Sequence, residues 1–179
     1  MQEEEYLYKS NKFNIRHINP EKDAECYLAY MQTENVSRFI SKSELPYDHA
    51  SAIRELSYWN SLMHRGVHLC YAVENPKTKE IIGVVGANYY LEVHGRLEIN
   101  YDLNPEFQGR GIATTAVDIY LNYIKNTFPL KRIQATVASH NERSLKLLKK
   151  LGFEIEGNMK KYGNLHGVFY DYYILSKVF

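Results

Sequence analysis

From Phe13 onward the chain alternates between two hydrophobic rhythms. Phe13-Asn14-Ile15-Arg16-His17-Ile18 places apolar side chains at every second position, the period of a half-buried strand. Asn19-Pro20-Glu21 then supplies a capping residue, a first-turn proline and an acidic first turn, so a helix is expected to about Thr33. Val36 to Ile40 reads as a short second helix. Pro46-Tyr47-Asp48 leads into a third, with Ile53, Leu56, Trp59, Leu62 and Met63 at helical spacing and Gly66 as its stop. The period then shortens to two. His68 to Glu74, Ile81 to Val93 and Arg96 to Leu103 read as strands, joined at Asn75-Pro76-Lys77-Thr78 and His94-Gly95. Such short links favour an antiparallel meander. A helix from Thr114 to Lys125 follows, its core face carrying Ala116, Val117, Leu121 and Ile124. Lys131 to Ala138 is the next strand, paired in parallel with Arg96–Leu103 across that helix. A helix from Asn141 to Leu151 buries Leu145, Leu148 and Leu151. Phe153 to Lys161 and Gly167 to Lys177 close the chain as a hairpin. The order of elements predicts an α/β (α+β) fold, a mixed and mostly antiparallel sheet flanked by helices.

Composition narrows the class. The 179 residues suit one domain, read here as an N-terminal extension over 1–12 and a single domain over 13–179. A formal net charge of +1 gives no global electrostatic case for nucleic acid. Cys26 and Cys70 lie in apolar surroundings and read as buried free thiols. The histidines show no metal-ligand spacing with them, so no metal is expected. The acidic start, Glu3-Glu4-Glu5, is no secretory signal, and no apolar stretch reaches membrane-spanning length. A cytoplasmic protein without a membrane partner is the expectation.

The chemistry concentrates in Gln108-Gly109-Arg110-Gly111-Ile112-Ala113, between a strand and a helix. Glycines there let the backbone approach a ligand closely. The helix behind them offers amides without intrahelical partners and the positive end of its dipole. Together these suggest a pyrophosphate cradle. The P-loop pattern is absent, and Gly109-x-Gly111 is followed by Thr114 where a dinucleotide fold needs glycine. The plainer alternative is a glycine-rich helix entry with no ligand.

These residues resemble the signature of the GNAT superfamily of acyl-CoA-dependent N-acetyltransferases, Gln/Arg-x-x-Gly-x-Gly/Ala, at Gln108, Gly111 and Ala113. A second block resembles it too: the strand Arg132 to Ala138, then Asn141-Glu142-Arg143-Ser144, ending in Leu151-Gly152-Phe153. Leu97-Glu98-Ile99-Asn100-Tyr101 resembles the family's acidic strand. The run from Gly157 to Leu175, with Asp171 and Tyr173, is similar to the subgroup acting on ribosomal-protein N-termini. The resemblance spans about Phe13 to Leu175. It implies acetyl-CoA as cosubstrate, with its pyrophosphate on Gln108, Gly109, Arg110, Gly111, Ile112 and Ala113. It implies that the Arg96–Leu103 and Arg132–Ala138 strands splay, and that pantetheine inserts between them. The thioester carbonyl then meets an amide near Asn100 to Leu103, Tyr101 and Leu103 among them, while Asn141 contacts pantetheine or orders water.

Catalytic candidates follow. The acceptor amine must lose a proton, and Glu98 is the expected base, sharing a strand face with Asn100. Its plain alternative is a pairing with Arg96 or a neighbouring strand. Many relatives carry tyrosine seven residues after the Asn as the acid for the CoA thiolate; Leu148 stands there instead. Ser144 matches the serine proposed for that role in the ribosomal subgroup, against a purely structural first-turn serine. The expected reaction is direct acetyl transfer in a ternary complex to a primary amine, preferably a ribosomal protein N-terminus. A small amine (polyamine, amino acid or aminoglycoside-like) and a non-catalytic acyl-CoA sensor are the alternatives. Few acidic residues cluster near the groove in the sequence, which argues against a highly charged polyamine. Monomer and homodimer both remain open.

Overall fold

The structure, a computed structural model, describes residues 6–179. In chain order its elements are β1 (Tyr6–Tyr8), β2 (Asn14–Arg16), α1 (Pro20–Met31), α2 (Glu34–Ser37), α3 (His49–Ser61), β3 (Met63–His64), β4 (Val67–His68) and β5 (Cys70–Glu74). They continue with β6 (Ile81–Leu91), β7 (Arg96–Leu103), α4 (Ile112–Thr127), β8 (Arg132–Ala138), α5 (Glu142–Lys150), β9 (Glu154–Leu165) and β10 (Val168–Val178). One eight-stranded sheet has the order β1-β2-β5-β6-β7-β8-β10-β9, and β3 with β4 forms a separate ribbon. All neighbours in the large sheet are antiparallel except β7 and β8, which the helix α4 joins as a parallel crossover.

Alternation along the strands sorts the core into two layers. Tyr71, Val73, Ile82, Val85, Leu97 and Ile99 bury against α4 and α5. Cys70, Ala72, Ile81 and Val84 bury against α1 and α3, where Tyr27, Tyr30 and Leu56 meet them. On β7 the structure shows the expected faces, with Leu97 and Ile99 on one side and Glu98 and Asn100 on the other.

Several boundaries move. The segment 1–12 was read as an extension; its Tyr6–Tyr8 adds an edge strand to β2, and residues 1–5 lie outside the described residues. The third helix ends at Ser61, so Met63 is exposed in the β3–β4 ribbon rather than on a helical core stripe. Helix α4 starts at Ile112, two residues before the expected Thr114, because Gly111 in left-handed conformation serves as its N-cap. Both cysteines are free; Cys70 is buried, while Cys26 is only partly so.

A buried ion network ties the first strands to α1. Arg16 is 1% exposed; its Nη2 meets Asp23 Oδ1 at 2.6 Å and its Nε meets Glu74 Oε2 at 2.6 Å. Asn14 Nδ2 donates to Glu74 Oε1 at 3.0 Å. Although burial alone pushes Glu74 up, the bonds from Asn14 and Arg16 outweigh it and hold the carboxyl below its ordinary value. Its contribution to stability is therefore complete above the unfolded carboxylate value of about 4.3 and is lost as pH falls through the lower folded value. Removing Arg16 takes the guanidinium from buried Asp23 and leaves buried Glu74 with only the looser ion pairs to Lys22 and Lys79, each at 3.7 Å. Arg16→Ala is expected to cost about 3–5 kcal/mol at neutral pH, read by urea unfolding.

Candidate active site

The pairing of β7 with β8 covers Arg96↔Arg132, Leu97↔Ile133 and Glu98↔Gln134, and then stops. Both strands run on, β7 to Leu103 and β8 to Ala138. Between them opens a gap with one unpaired edge on each side. The phase of β7 decides what faces it. Asn104 N–H donates to Ile82 O at 2.8 Å, which continues a register pairing Val84 with Asp102 and Gly86 with Asn100. Alternate antiparallel pairs exchange both bonds. The amides of Asn100 and Asp102 therefore turn to β6, and those of Tyr101 and Leu103 turn to the gap. The Leu103 carbonyl lies on the gap side as well and accepts Gln108 Nε2 at 2.8 Å.

At the open end of the gap α4 begins. Gly109 and Gly111 have φ of 76° and 77°, a left-handed backbone that side chains disfavour. A Cβ added at either meets no protein atom within 4 Å, so open space lies in front of both. Asn19, Asp48 and Asn141 cap α1, α3 and α5 with side chains, but no side chain caps α4. The first amides of this 16-residue helix thus face outward, free for an anion. Gln108 takes a different place from that expected of it. Its N–H is spent on Pro105 O, and its side chain bridges Leu103 O to the Arg143 guanidinium on α5. Arg110 is exposed, its guanidinium 5.6 Å from the Phe107 ring centre.

The second motif meets the first across the gap. Tyr101 OH lies 2.7 Å from Ser144 Oγ, joining β7 to the first turn of α5. Burial pushes the Tyr101 phenol up to about 12, so it stays protonated. Asn141 Oδ1 accepts the Ser144 N–H at 3.3 Å as the α5 cap. Leu148, where relatives carry tyrosine, is fully buried core.

On the opposite face of β7 lie Glu98, Asn100 and Asp102. Glu98 Oε2 accepts both Tyr89 OH at 2.7 Å and Gln134 Nε2 at 2.8 Å, at the last paired rung. Asn100 Oδ1 is buried without a partner. Asp102 was missed in the sequence. Its Oδ1 accepts Tyr30 OH at 2.6 Å and Val84 N–H at 3.1 Å. Desolvation raises its carboxyl to about 7, opposed by those two bonds. Glu55 on α3 accepts Tyr27 OH at 3.0 Å and is also raised by burial, with Glu44 adding to the shift. The fold therefore gathers acidic groups that the sequence scatters, contrary to the expectation of few near the groove. Two signals were available for Asp102: the period-two face it shares with Glu98, and a carboxylate in an apolar strand.

At the β10 side, His140 stacks between Phe39 and Tyr170, with ring centres 5.3 and 4.3 Å away. Ser41, Lys42, Asn164, His166 and Gly167 line a cleft of about 530 Å³. No group of three or more metal-ligating side chains occurs among the described residues.

Residues 12–154 match the acetyltransferase (GNAT) domain family. This chain belongs to the GNAT acetyltransferases. It is 31% identical over 173 residues to the uncharacterized N-acetyltransferase p20 of Bacillus licheniformis, covering 96% of this chain and 95% of that one. It is 33% identical over 120 residues to the [ribosomal protein uS5]-alanine N-acetyltransferase of Escherichia coli, covering 65% and 61%. The Escherichia coli spermidine N(1)-acetyltransferase is 34% identical over 80 residues, covering 45% and 43%. Among solved structures, the fold matches the RimL ribosomal L7/L12 α-N-protein acetyltransferase in complex with coenzyme A. That match has a TM-score of 0.84 at 17% identity, covering 97% and 98%.

The GNAT acetyltransferases use acetyl-CoA, which supplies an activated acetyl thioester, and the residues here fit it. The uncapped α4 amides suit a pyrophosphate, and the unpaired amides of Tyr101 and Leu103 suit an extended amide-bearing arm. Gly111→Arg fills the open space before α4 and strains its left-handed cap. Acetyl-CoA affinity measured by calorimetry should fall by about tenfold or more, about 1.4 kcal/mol, while the circular dichroism spectrum is retained. Unchanged affinity would remove the cradle from the α4 terminus.

Proposed function

We propose that this N-acetyltransferase modifies the N-terminal α-amino group of a protein, with ribosomal proteins the preferred class. The observation that carries the reading is the cleft between the Ser41-Lys42 segment and the β9–β10 tip. In this reading a peptide whose amino group enters the gap runs out along this cleft. Tyr47, Tyr162 and Phe169 stand exposed on the elements around it and offer side-chain contacts of the kind a peptide uses. The likeness to the uS5-alanine enzyme supports the same acceptor.

In this reading the Tyr101 N–H stabilises the negative charge that develops on the thioester oxygen as the amine adds. Ser144 Oγ–H donates toward the departing sulfur, and Tyr101 OH, protonated and 2.7 Å away, orients the serine. That pair takes over a task for which Leu148 has no hydroxyl.

A polyamine is the second reading. Glu44, which acts on Glu55, and Glu55, which acts on Asp102, favour with Asp102 a cation on the acceptor side. Thiol release from acetyl-CoA separates the two. Peptides with free N-termini are expected to drive release, the same peptides with blocked N-termini to give none, and spermidine to be poor. Release with spermidine alone would transfer the function to small amines. In the same assay Ser144→Ala is expected to slow turnover by roughly 10- to 100-fold with acetyl-CoA affinity unchanged.

A further inference from the structure

Asp102 differs from the paired carboxylates of this fold. Asp23 and Glu74 face Arg16, and Glu156 faces Arg132. Around Asp102 stand Tyr30 and Tyr27 from α1, Glu55 from α3 and Cys70 from β5, none of them a cation. Its Oδ1 takes both hydrogen bonds, from Tyr30 and Val84, and Oδ2 has no partner among the described residues. A carboxylate stripped of water and counter-ion is costly unless it gains a proton or a cation. An arriving ammonium supplies both. As a whole residue Asp102 is half-buried.

Position distinguishes it from Glu98. Asp102 adjoins Tyr101, whose amide faces the gap, and it lies in the splayed half of β7. Glu98 sits at the last paired rung, about 13 Å back along the strand, with one oxygen already holding two donors. Between them Asn100 turns a buried, unpartnered Oδ1 to the same face, a further acceptor for an N–H.

We infer that Asp102, ahead of Glu98, receives the acceptor's ammonium and takes its proton, and so selects for cationic amines. The inference rests on acetyl transfer in this site and holds for a peptide or a polyamine. One N–H bond of the ammonium breaks, its proton passes to Asp102 Oδ2, and the electron pair stays on nitrogen. Nitrogen then forms the C–N bond to the acetyl carbon, and the C–S bond breaks with its pair leaving on sulfur. The nitrogen's second proton passes to solvent, Ser144 Oγ gives its proton to the sulfur and is reprotonated from solvent, and Asp102 returns its own proton to solvent, so that one proton is released overall. A carboxyl near 7 is well matched to an α-amino group of about 8.

The test is the pH profile of kcat/KM for thiol release, with an alanine-initiated free peptide and with spermidine as separate acceptors. The wild type is expected to lose rate as pH falls through about 7. Asp102→Asn is expected to lose that acid limb and about 100-fold in rate, whereas Glu98→Gln keeps the limb. Tyr30→Phe removes a bond that favours the ionised carboxylate, so it moves the limb up by about one pH unit with the ring still packed. A limb that survives in Asp102→Asn, vanishes in Glu98→Gln or ignores Tyr30→Phe overturns the inference. If Asp102→Asn fails to fold, the Tyr30→Phe shift decides. If neither amine turns over, the peptide reading fails separately, and carboxyl carbon NMR of the CoA-bound enzyme decides for Asp102. A resonance titrating near 7 and shifting with added methylamine supports the assignment; one that ignores methylamine overturns it.

Discussion

The site depends on two parallel strands that stop pairing. Past Glu98↔Gln134, β7 and β8 diverge, and each leaves an edge of backbone donors and acceptors unsatisfied. Unpaired backbone groups are costly unless something completes them. Here side chains bridge the gap at one end and across its middle. Gln108 spans from the Leu103 carbonyl to Arg143 at one end, and Tyr101 reaches Ser144 across the middle. β10, in unbroken register along β8, and β6, in unbroken register with β7 from Ile99 to Leu103, back the two walls. A pantothenate-like arm completes such an edge as a strand would, and the α4 amides stand at its phosphate end.

Burial then sorts the chemistry between the two faces of β7. Toward α4 and α5, Tyr101 is kept protonated and close to Ser144, a donor pair suited to a leaving thiolate. Toward α1 and α3, Asp102 is raised into the range where amines and carboxylates exchange protons, while Asp23 and Glu74 stay locked on Arg16 as a paired structural network. Both kinds of buried charge occur on the same side of the sheet. The difference between them is the guanidinium, present in one and absent from the other.

Local signals in the sequence were legible where the backbone itself imposes them. Gly109 and Gly111 announce a close backbone approach, Asn141 announces a cap, and period-two alternation assigns the faces of β7. The parallel crossover follows from a strand, a helix and a strand in sequence. What was hidden lies at long range. Tyr101 and Ser144 are 43 positions apart, and Tyr30 and Asp102 are 72 apart, so no spacing rule links either pair. The edge strand at Tyr6–Tyr8 and the β3–β4 ribbon are too short to show a period. Glu98 was readable as a strand carboxylate, but its bonds to Tyr89 and Gln134 appear only once three strands stand side by side.

Residue-resolved amide hydrogen exchange, with and without acetyl-CoA, tests the central claim most directly. Tyr101 and Leu103 are expected to exchange readily in the free protein and to gain protection when acetyl-CoA binds. Asn100 and Asp102, already bonded to β6, are expected to stay protected throughout. Protection of Tyr101 and Leu103 that is the same with and without acetyl-CoA would contradict the account, because β7 would then present no open edge to the cosubstrate.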